Sequence, residues 1–148
     1  ATETQMKEAL REVNLLDFVE KSGGLDFVLL EKASNLSGGQ KQRLSLARAL
    51  LHDTPIYIFD EATSNVDVES ENDIMAVVRK LAKTKTVLLI SHRLANVVSA
   101  DQIYVLKDGM IVEKGQHEAL CKEDGYYHRL FRQQSALEQF GKGAVANE

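Results

Sequence analysis

The sequence has one cysteine, one proline and no tryptophan, and it contains no long apolar run. The single cysteine, Cys121, cannot form an internal disulfide, which is typical of a reducing compartment such as the cytosol. No stretch approaches the roughly 20 apolar residues of a membrane-spanning helix, and the acidic start Ala1-Thr2-Glu3 is unlike a signal peptide. We therefore expect any role at a membrane to depend on another domain or chain.

An excess of basic residues is also lacking. The 18 Lys and Arg residues are outnumbered by 22 Asp and Glu residues, giving a net charge of -4. This balance argues against nucleic acid as the main partner, because phosphate backbones attract basic surfaces. The content of 44% hydrophobic and 27% charged residues is typical of one globular domain rather than of a disordered tail.

Hydrophobic periodicity predicts an α/β chain in which helices alternate with strands. We expect an amphipathic helix capped by Thr4 and ending near Phe18, followed by helices over 40–51, 68–82, 116–120 and 126–140, and a frayed terminus at 141–148. Apolar runs at 56–59 and 86–90 predict two parallel strands joined by a helix, the first strand buried on both faces. The pair Asp108-Gly109 predicts a closing antiparallel hairpin.

Two adjacent carboxylates, Asp60 and Glu61, follow the first apolar strand. In a magnesium-dependent phosphate hydrolase, the first carboxylate holds Mg²⁺ and the second polarises the attacking water. The alternative is structural, with Asp60 capping the next helix and Glu61 a solvated acid in its first turn. For an isolated pair the structural interpretation is the better one, so other motifs must decide.

Ser37, Gly38, Gly39 and Gln40 form a glycine-rich turn at the start of a predicted helix. The glycines let the backbone approach an anion, and Ser37 and the helix N-terminus supply hydrogen-bond donors and a positive dipole. This pattern predicts a phosphate site. A serine N-cap followed by a glycine-rich turn is an alternative that explains Ser37 to Gly39 by themselves.

Two more polar residues stand where predicted elements begin or end. His92 follows the second strand, where an imidazole can hydrogen-bond a terminal phosphate or position the attacking water. A lone histidine is more often structural. Asp67 either accepts hydrogen bonds across an interface or caps the following helix, and the two roles are compatible.

Four motifs in this order resemble the ABC ATPases, namely LSGGQKQR at 36–43, IYIFDEATS at 56–64, Asp67, and ISHR at 90–93. The resemblance implies that residues 37–40 are the signature motif, that Asp60 closes the Walker B strand and that Ser64 to Asp67 form the D-loop. Glu61 is then the catalytic carboxylate and His92 the switch histidine.

The resemblance also implies a head-to-tail dimer of two nucleotide-binding domains with ATP and Mg²⁺ as cofactors. In that arrangement Ser37, Gly38 and Gly39 clasp the γ-phosphate of the partner's ATP. Asp60 holds Mg²⁺, while Glu61 and His92 act on the nucleotide of their own subunit.

One motif of the family is missing, because nothing in the chain matches the phosphate-gripping sequence G-x-x-x-x-G-K-[ST], called Walker A. We interpret the chain as the C-terminal portion of a cassette with a partial P-loop NTPase-like sheet. Residues 1–51 belong to its helical subdomain, 52–120 to the C-terminal half of its ATPase core and 121–148 to a helical tail.

Residues 101–109, 115–120 and 126–131 are similar to the C-terminal run of exporter-type ABC transporters. This similarity implies a transmembrane domain as the second partner, contacted near Leu29 to Lys32, and a location at the cytoplasmic face of a membrane, the inner membrane in a bacterium. Two other functions compete. A non-transport ABC ATPase of DNA repair or chromosome organisation is disfavoured by the lack of heptads and basic excess, and a non-catalytic interaction domain by the intact Glu61 and His92.

We predict that the chain alone hydrolyses little or no Mg-ATP, because Walker A and its lysine supply most of the positioning and charge neutralisation in phosphoryl transfer. Activity is expected to appear when the N-terminal half of the cassette is added as a separate polypeptide, and to disappear in Glu61→Gln. Phosphate release measures both. Turnover by the chain alone would contradict the prediction, since it would require a further phosphate site.

Overall fold

The computed structural model describes residues 1–63 and 66–145, with the backbone alone for residues 138–145. The chain divides into two compact units, Ala1–Ile90 and Ser91–Glu148, and each is described by itself. The predicted division after residues 51 and 120 stays a prediction. Ser64 and Asn65 of the expected D-loop and residues 146–148 of the expected frayed terminus lie outside the described residues.

The first unit opens with helix α1, Glu3–Glu12, whose N-cap is Thr2 rather than the predicted Thr4. The Thr2 hydroxyl accepts a hydrogen bond from the Gln5 N–H at 3.2 Å, and the Gln5 side-chain oxygen accepts one from the Thr2 N–H at 2.8 Å. This reciprocal pair satisfies two donors at the helix start. The Gln5 side chain is therefore the partner that makes Thr2 the N-cap of α1.

The prediction of a single helix ending near Phe18 is wrong. Asn14 has a φ of 54°, a left-handed conformation that ends α1, and helix α2, Leu16–Lys21, follows. Asparagine adopts this conformation more readily than most residues. The turn leaves Val13 and Leu15, on either side of it, 0% and 1% exposed. Burial of both side chains favours the break over one continuous helix.

Helices α3, Gly38–His52, and α4, Val68–Leu81, begin and end close to their predicted bounds. Single 3₁₀ turns at Gly24–Asp26 and Glu31–Ala33 lie between α2 and α3. The helices enclose the core of the first unit, whose most buried members include Val13, Leu15, Leu46, Ala47, Ile74, Met75 and Val78.

Strands β1, Ile56–Asp60, and β2, Thr86–Ile90, pair in parallel, with α4 as the connection between them. Asp60 lies opposite Ile90 in the register, so the carboxyl ends of both strands meet at one edge. This confirms the predicted parallel pair.

The two faces of this sheet differ, and the prediction that β1 is buried on both faces is wrong. Tyr57 and Phe59 are 5% and 9% exposed on the face that packs on the core, whereas Ile56 and Ile58 are 58% and 65% exposed on the other. Apolar residues on both faces are typical of a sheet covered by two layers. Within the described part of this unit, helices cover one face.

The second unit is built on an antiparallel hairpin. Strands β3, Ile103–Lys107, and β4, Met110–Gly115, are joined by a turn in which Asp108 and Gly109 have φ values of 51° and 78°. Helices α5, His117–Lys122, and α6, Tyr126–Val145, complete the unit. Its core contains Ile103, Val105, Leu120 and Tyr127.

The parallel pair and the C-terminal antiparallel hairpin confirm the predicted α/β fold class. Helix α6 continues through residues 141–145, where a frayed terminus was expected. None of the helices in the described ranges combines the length and apolar character needed to cross a bilayer.

We predict that Phe59→Ala lowers the free energy of unfolding by about 3–5 kcal/mol, because it leaves a cavity in the core. Ile58→Ala, one residue earlier but on the exposed face, is expected to cost at most about 1 kcal/mol. Urea unfolding of both variants at two protein concentrations makes the comparison. Equal losses would show that the exposed face is covered, for instance by a second copy of the chain.

Candidate functional site

Asp60 and Glu61 lie exposed at the carboxyl end of β1. The Glu61 N–H donates a hydrogen bond to the Ile90 carbonyl at 3.0 Å, which ties the turn after β1 to the end of β2. Glu61 itself has a φ of 48°. A left-handed conformation at a residue other than glycine is uncommon and is concentrated at functional sites. The described residues Asn14, Lys32, Ala33, Asp53 and Asp108 share this conformation, so at Glu61 it describes the turn after β1 and does not by itself mark a catalytic residue.

The carboxylates fit Mg²⁺ by their chemistry. Mg²⁺ prefers oxygen ligands and keeps several of its waters, so it is held in nucleotide sites by one or two carboxylates together with substrate phosphates. The exposed Asp60 and Glu61 supply such oxygens beside solvent. No group of three or more His, Cys, Asp or Glu side chains is placed to hold a metal within residues 1–63 and 66–137.

The predicted phosphate turn forms the N-terminus of α3. Ser37 is the N-cap, and its hydroxyl accepts from the Gln40 N–H at 3.2 Å while the Gln40 side-chain oxygen accepts from the Ser37 N–H at 2.8 Å. Ser37 and Gly38 are exposed, whereas Gly39 is buried. The structural alternative of a serine cap is therefore present, and it holds the turn in one conformation.

Gly39 is required by packing inside the chain. A Cβ atom built on it would lie 2.1 Å from the Ser70 hydroxyl oxygen and 2.6 Å from the Ser70 Cβ. Real Cβ atoms do not approach other atoms so closely, so any side chain here would push α3 away from α4. Ser70 is a residue that sequence reasoning missed, because nothing in its local sequence indicates contact with residue 39.

Asp67 caps α4, as one of its two predicted roles required. Its carboxylate accepts from the Ser70 N–H and from the Ser70 hydroxyl, both at 2.8 Å. These two bonds, with a smaller contribution from the Arg43 guanidinium, hold the pKa of the Asp67 carboxyl below its usual value of 3.8. An oxygen of the same carboxylate lies 3.3 Å from the Cβ position at Gly39. The structure thus brings Asp67 and the turn at residues 37–40 together.

His92 belongs to the second unit, in the bend before a 3₁₀ turn at Leu94–Asn96, and it is exposed. The Gln134 side chain of α6 donates to the His92 carbonyl oxygen at 2.8 Å and accepts from the Leu94 N–H at 2.6 Å. Gln134 is a second residue that sequence reasoning missed. It lies 42 positions from His92, outside every motif, so no local signal could have found it.

Comparisons with known proteins agree with these motifs. A family model described as ABC transporter matches residues 1–64. A Haemophilus influenzae protein named "Uncharacterized ABC transporter ATP-binding protein" is 52% identical over 146 residues, which are 99% of this chain and 26% of that protein. The chain belongs to the ABC transporter ATP-binding family. An ATP-dependent lipid A-core flippase of Vibrio cholerae is 47% identical over 132 residues, 88% of this ABC chain and 23% of the flippase.

A solved structure extends the similarity to the ABC fold. A bacterial Atm1-family ABC exporter with ATP bound matches with a TM-score of 0.82 and 36% identity, over 90% of this chain and 24% of the exporter. The match confirms the ABC ATPase fold and the exporter type. The ABC chain spans about a quarter of the length of these relatives.

We predict that Asp67→Asn is less stable than the unchanged chain near pH 7, because the two Ser70 donors then bond a neutral acceptor instead of a carboxylate. The folded-state pKa is below 3.8, so the advantage of the carboxylate is complete above the unfolded pKa and is lost as the pH falls through the folded one. Urea midpoints near pH 7 and below pH 3 make the test. Ser70→Ala, which removes one of the two bonds, is expected to lose part of this advantage; equal midpoints near neutral pH for Asp67→Asn would contradict the assignment.

Proposed function

We propose that this chain is the C-terminal part of the ATP-hydrolysing domain of an ABC exporter. ATP binding and hydrolysis at a head-to-tail interface between two such domains drive export of a substrate across a membrane. One observation carries the proposal. The exposed N-terminus of α3 at Ser37 and Gly38 belongs to the same unit as the exposed Asp60 and Glu61 at the end of β1.

The α3 N-terminus binds the γ-phosphate of ATP held by the partner domain. A helix start offers backbone N–H groups and the positive end of the helix dipole to an anion. Gly38 is exposed and has no side chain, so a phosphate can approach its backbone. The Ser37 hydroxyl accepts from Gln40 and donates its own proton to a phosphate oxygen. Gln40 acts indirectly, since its side chain closes the cap on Ser37.

The residues at the strand ends act on the nucleotide of their own subunit. Glu61 polarises the attacking water, and its exposed position at the end of β1 leaves space for that water. Asp60 supplies an oxygen for Mg²⁺, which when bound neutralises phosphate charge. His92 hydrogen-bonds the terminal phosphate. With no Walker A sequence in the chain, the segment contributes pieces of two half-sites, and alone it is inactive.

Asp67 lies near both proposed sites of the first unit, the phosphate-binding turn at residues 37–40 in space and the carboxylates that follow β1 along the chain. Its carboxylate is adjacent to Gly39 of the signature turn, and it lies six residues after Glu61 along the chain. Phosphate binding at residues 37–40 therefore acts on Asp67 through this contact. In this proposal Asp67 lies at the interface with the second nucleotide-binding domain.

The transmembrane domain is the other partner, and it places this domain at the cytoplasmic face of a membrane. Val28, Leu29 and Leu30 are 72%, 45% and 58% exposed, an apolar tip that suits contact with a helix of that domain. The tip is shaped by Asn35, whose side chain accepts from the Leu30 N–H at 3.1 Å and donates to the Val28 carbonyl at 3.0 Å. These two bonds connect the backbone on both sides of Leu29 to Asn35.

The test uses a chimera in which the matching residues of the Haemophilus influenzae relative are replaced by this chain. We predict Mg-dependent ATP hydrolysis by the chimera and a loss of about 100-fold or more in Glu61→Gln, the scale of a missing general base. Glu69→Gln is the matched control, because Glu69 is an exposed acid in the first turn of α4, and it is expected to retain full activity.

Two results would refute the proposed function. A chimera that folds and dimerises but does not hydrolyse ATP would show that the strand-end residues are not catalytic here. Equal activity of Glu61→Gln and Glu69→Gln would assign the water-polarising role to another residue. Phosphate release in detergent and in lipid vesicles measures all variants.

A further inference from the structure

We infer that Gln134 is a positioning residue for His92. Its side-chain nitrogen donates to the His92 carbonyl oxygen at 2.8 Å, and its side-chain oxygen accepts from the Leu94 N–H at 2.6 Å. All three residues belong to the second unit. Only one orientation of the amide satisfies both partners, because the reverse would place oxygen against oxygen and N–H against N–H. One side chain thus holds the backbone on both sides of Arg93.

Side-chain hydrogen bonds contribute to the conformation of the segment around His92. Residues 91–93 belong to neither a helix nor a strand, and the backbone bond from the Asn96 N–H to the Arg93 carbonyl at 3.0 Å connects them to the following 3₁₀ turn. The Ser91 hydroxyl accepts from the Arg93 N–H and donates to the Arg93 carbonyl, both at 3.0 Å. Ser91 and Gln134 together fix the backbone from which the imidazole projects. Ser91 bonds within its own segment, whereas Gln134 connects that segment to α6.

Gln134 is itself held in place by a well-anchored helix. Tyr127, Phe131 and Gln134 are spaced four and then three residues apart, so they share one side of α6. Tyr127 is 1% exposed, and its hydroxyl lies 2.9 Å from the His117 ring nitrogen. At the helix start, the Glu113 carboxylate accepts the Tyr127 N–H at 2.9 Å. The hairpin and α6 therefore determine the position of the Gln134 side-chain amide.

The consequence for catalysis rests on the proposed function of His92. Reacting groups must be held closely, and a misplacement of about 1 Å costs on the order of 100-fold in rate. Other residues bind the nucleotide, so loss of the Gln134 amide is expected to slow hydrolysis rather than to weaken nucleotide binding. The expected signature is a lower kcat for ATP hydrolysis with little change in KM.

The first measurement is hydrogen exchange of the Leu94 amide in the full 148-residue chain. Gln134→Ala removes its acceptor, and exchange is expected to be about tenfold faster. Gln134→Glu retains an acceptor for Leu94 but has no donor for the His92 carbonyl, so Leu94 should stay protected. Gln133→Ala is the matched control, because Gln133 is the exposed neighbour on the same helix. An unchanged rate of Leu94 exchange in Gln134→Ala would overturn the positioning role of Gln134.

The second measurement is ATP hydrolysis by the chimera, at a temperature well below the unfolding midpoint of every variant. Gln134→Ala and Gln134→Glu are both expected to lower kcat about tenfold, with KM within about twofold, while Gln133→Ala changes neither. In a His92→Ala background, Gln134→Ala should cause no further loss, because it acts through His92.

The outcomes separate this role from the proposed function. If Glu61→Gln abolishes hydrolysis while Gln134→Ala has the kcat of the unchanged chimera, the proposed function stands and the role of Gln134 is wrong. Equal losses from Gln134→Ala with and without His92 would also overturn it, since they indicate a structural contribution alone. If Glu61→Gln has no effect on rate, the proposed function itself fails.

Discussion

The close approach of α3 and α4 at Gly39 is the constraint on which the candidate site of the first unit depends. The two helices meet where one residue has no side chain and the other, Ser70, presents a hydroxyl. Both helices begin with a polar cap, Ser37 on α3 and Asp67 on α4. Because the contact lies within three residues of each cap, it brings the two caps together. The turn at residues 37–40, which we propose binds phosphate, and the Asp67 cap are separate in sequence and thereby become neighbours.

In the second unit, a polar side chain on a helix likewise supports a candidate site residue, His92. A polar side chain on a packed helix holds a segment that has no regular structure, with Gln134 bonded on both sides of Arg93. In each unit the residues with proposed chemistry are exposed, and Ser70 and Gln134, which contact such residues or their neighbours, lie on helices that pack on a core. A preorganised site supports its chemical groups in this way, through side chains on packed elements.

Much of the fold was predictable because its signals are local. Helix α3 begins at a serine cap, β1 and β2 are short apolar runs, and the hairpin turns at Asp108-Gly109. The errors arose where long-range burial competed with local pattern. The break at Asn14 allows Val13 and Leu15 to be buried at once, which helical periodicity does not register.

By itself the sequence determined the residue types of the site, their order, and the resemblance to ABC ATPases, because those motifs are continuous and chemically specific. The tertiary structure alone decided that Gly39 touches Ser70, that Gln134 holds the segment of His92, and that Ile56 and Ile58 lie on an open face of the sheet. The physical reason is the sequence distance over which each kind of interaction acts. Composition and spacing report what each residue prefers, whereas contacts and coverage depend on which distant elements fold against it.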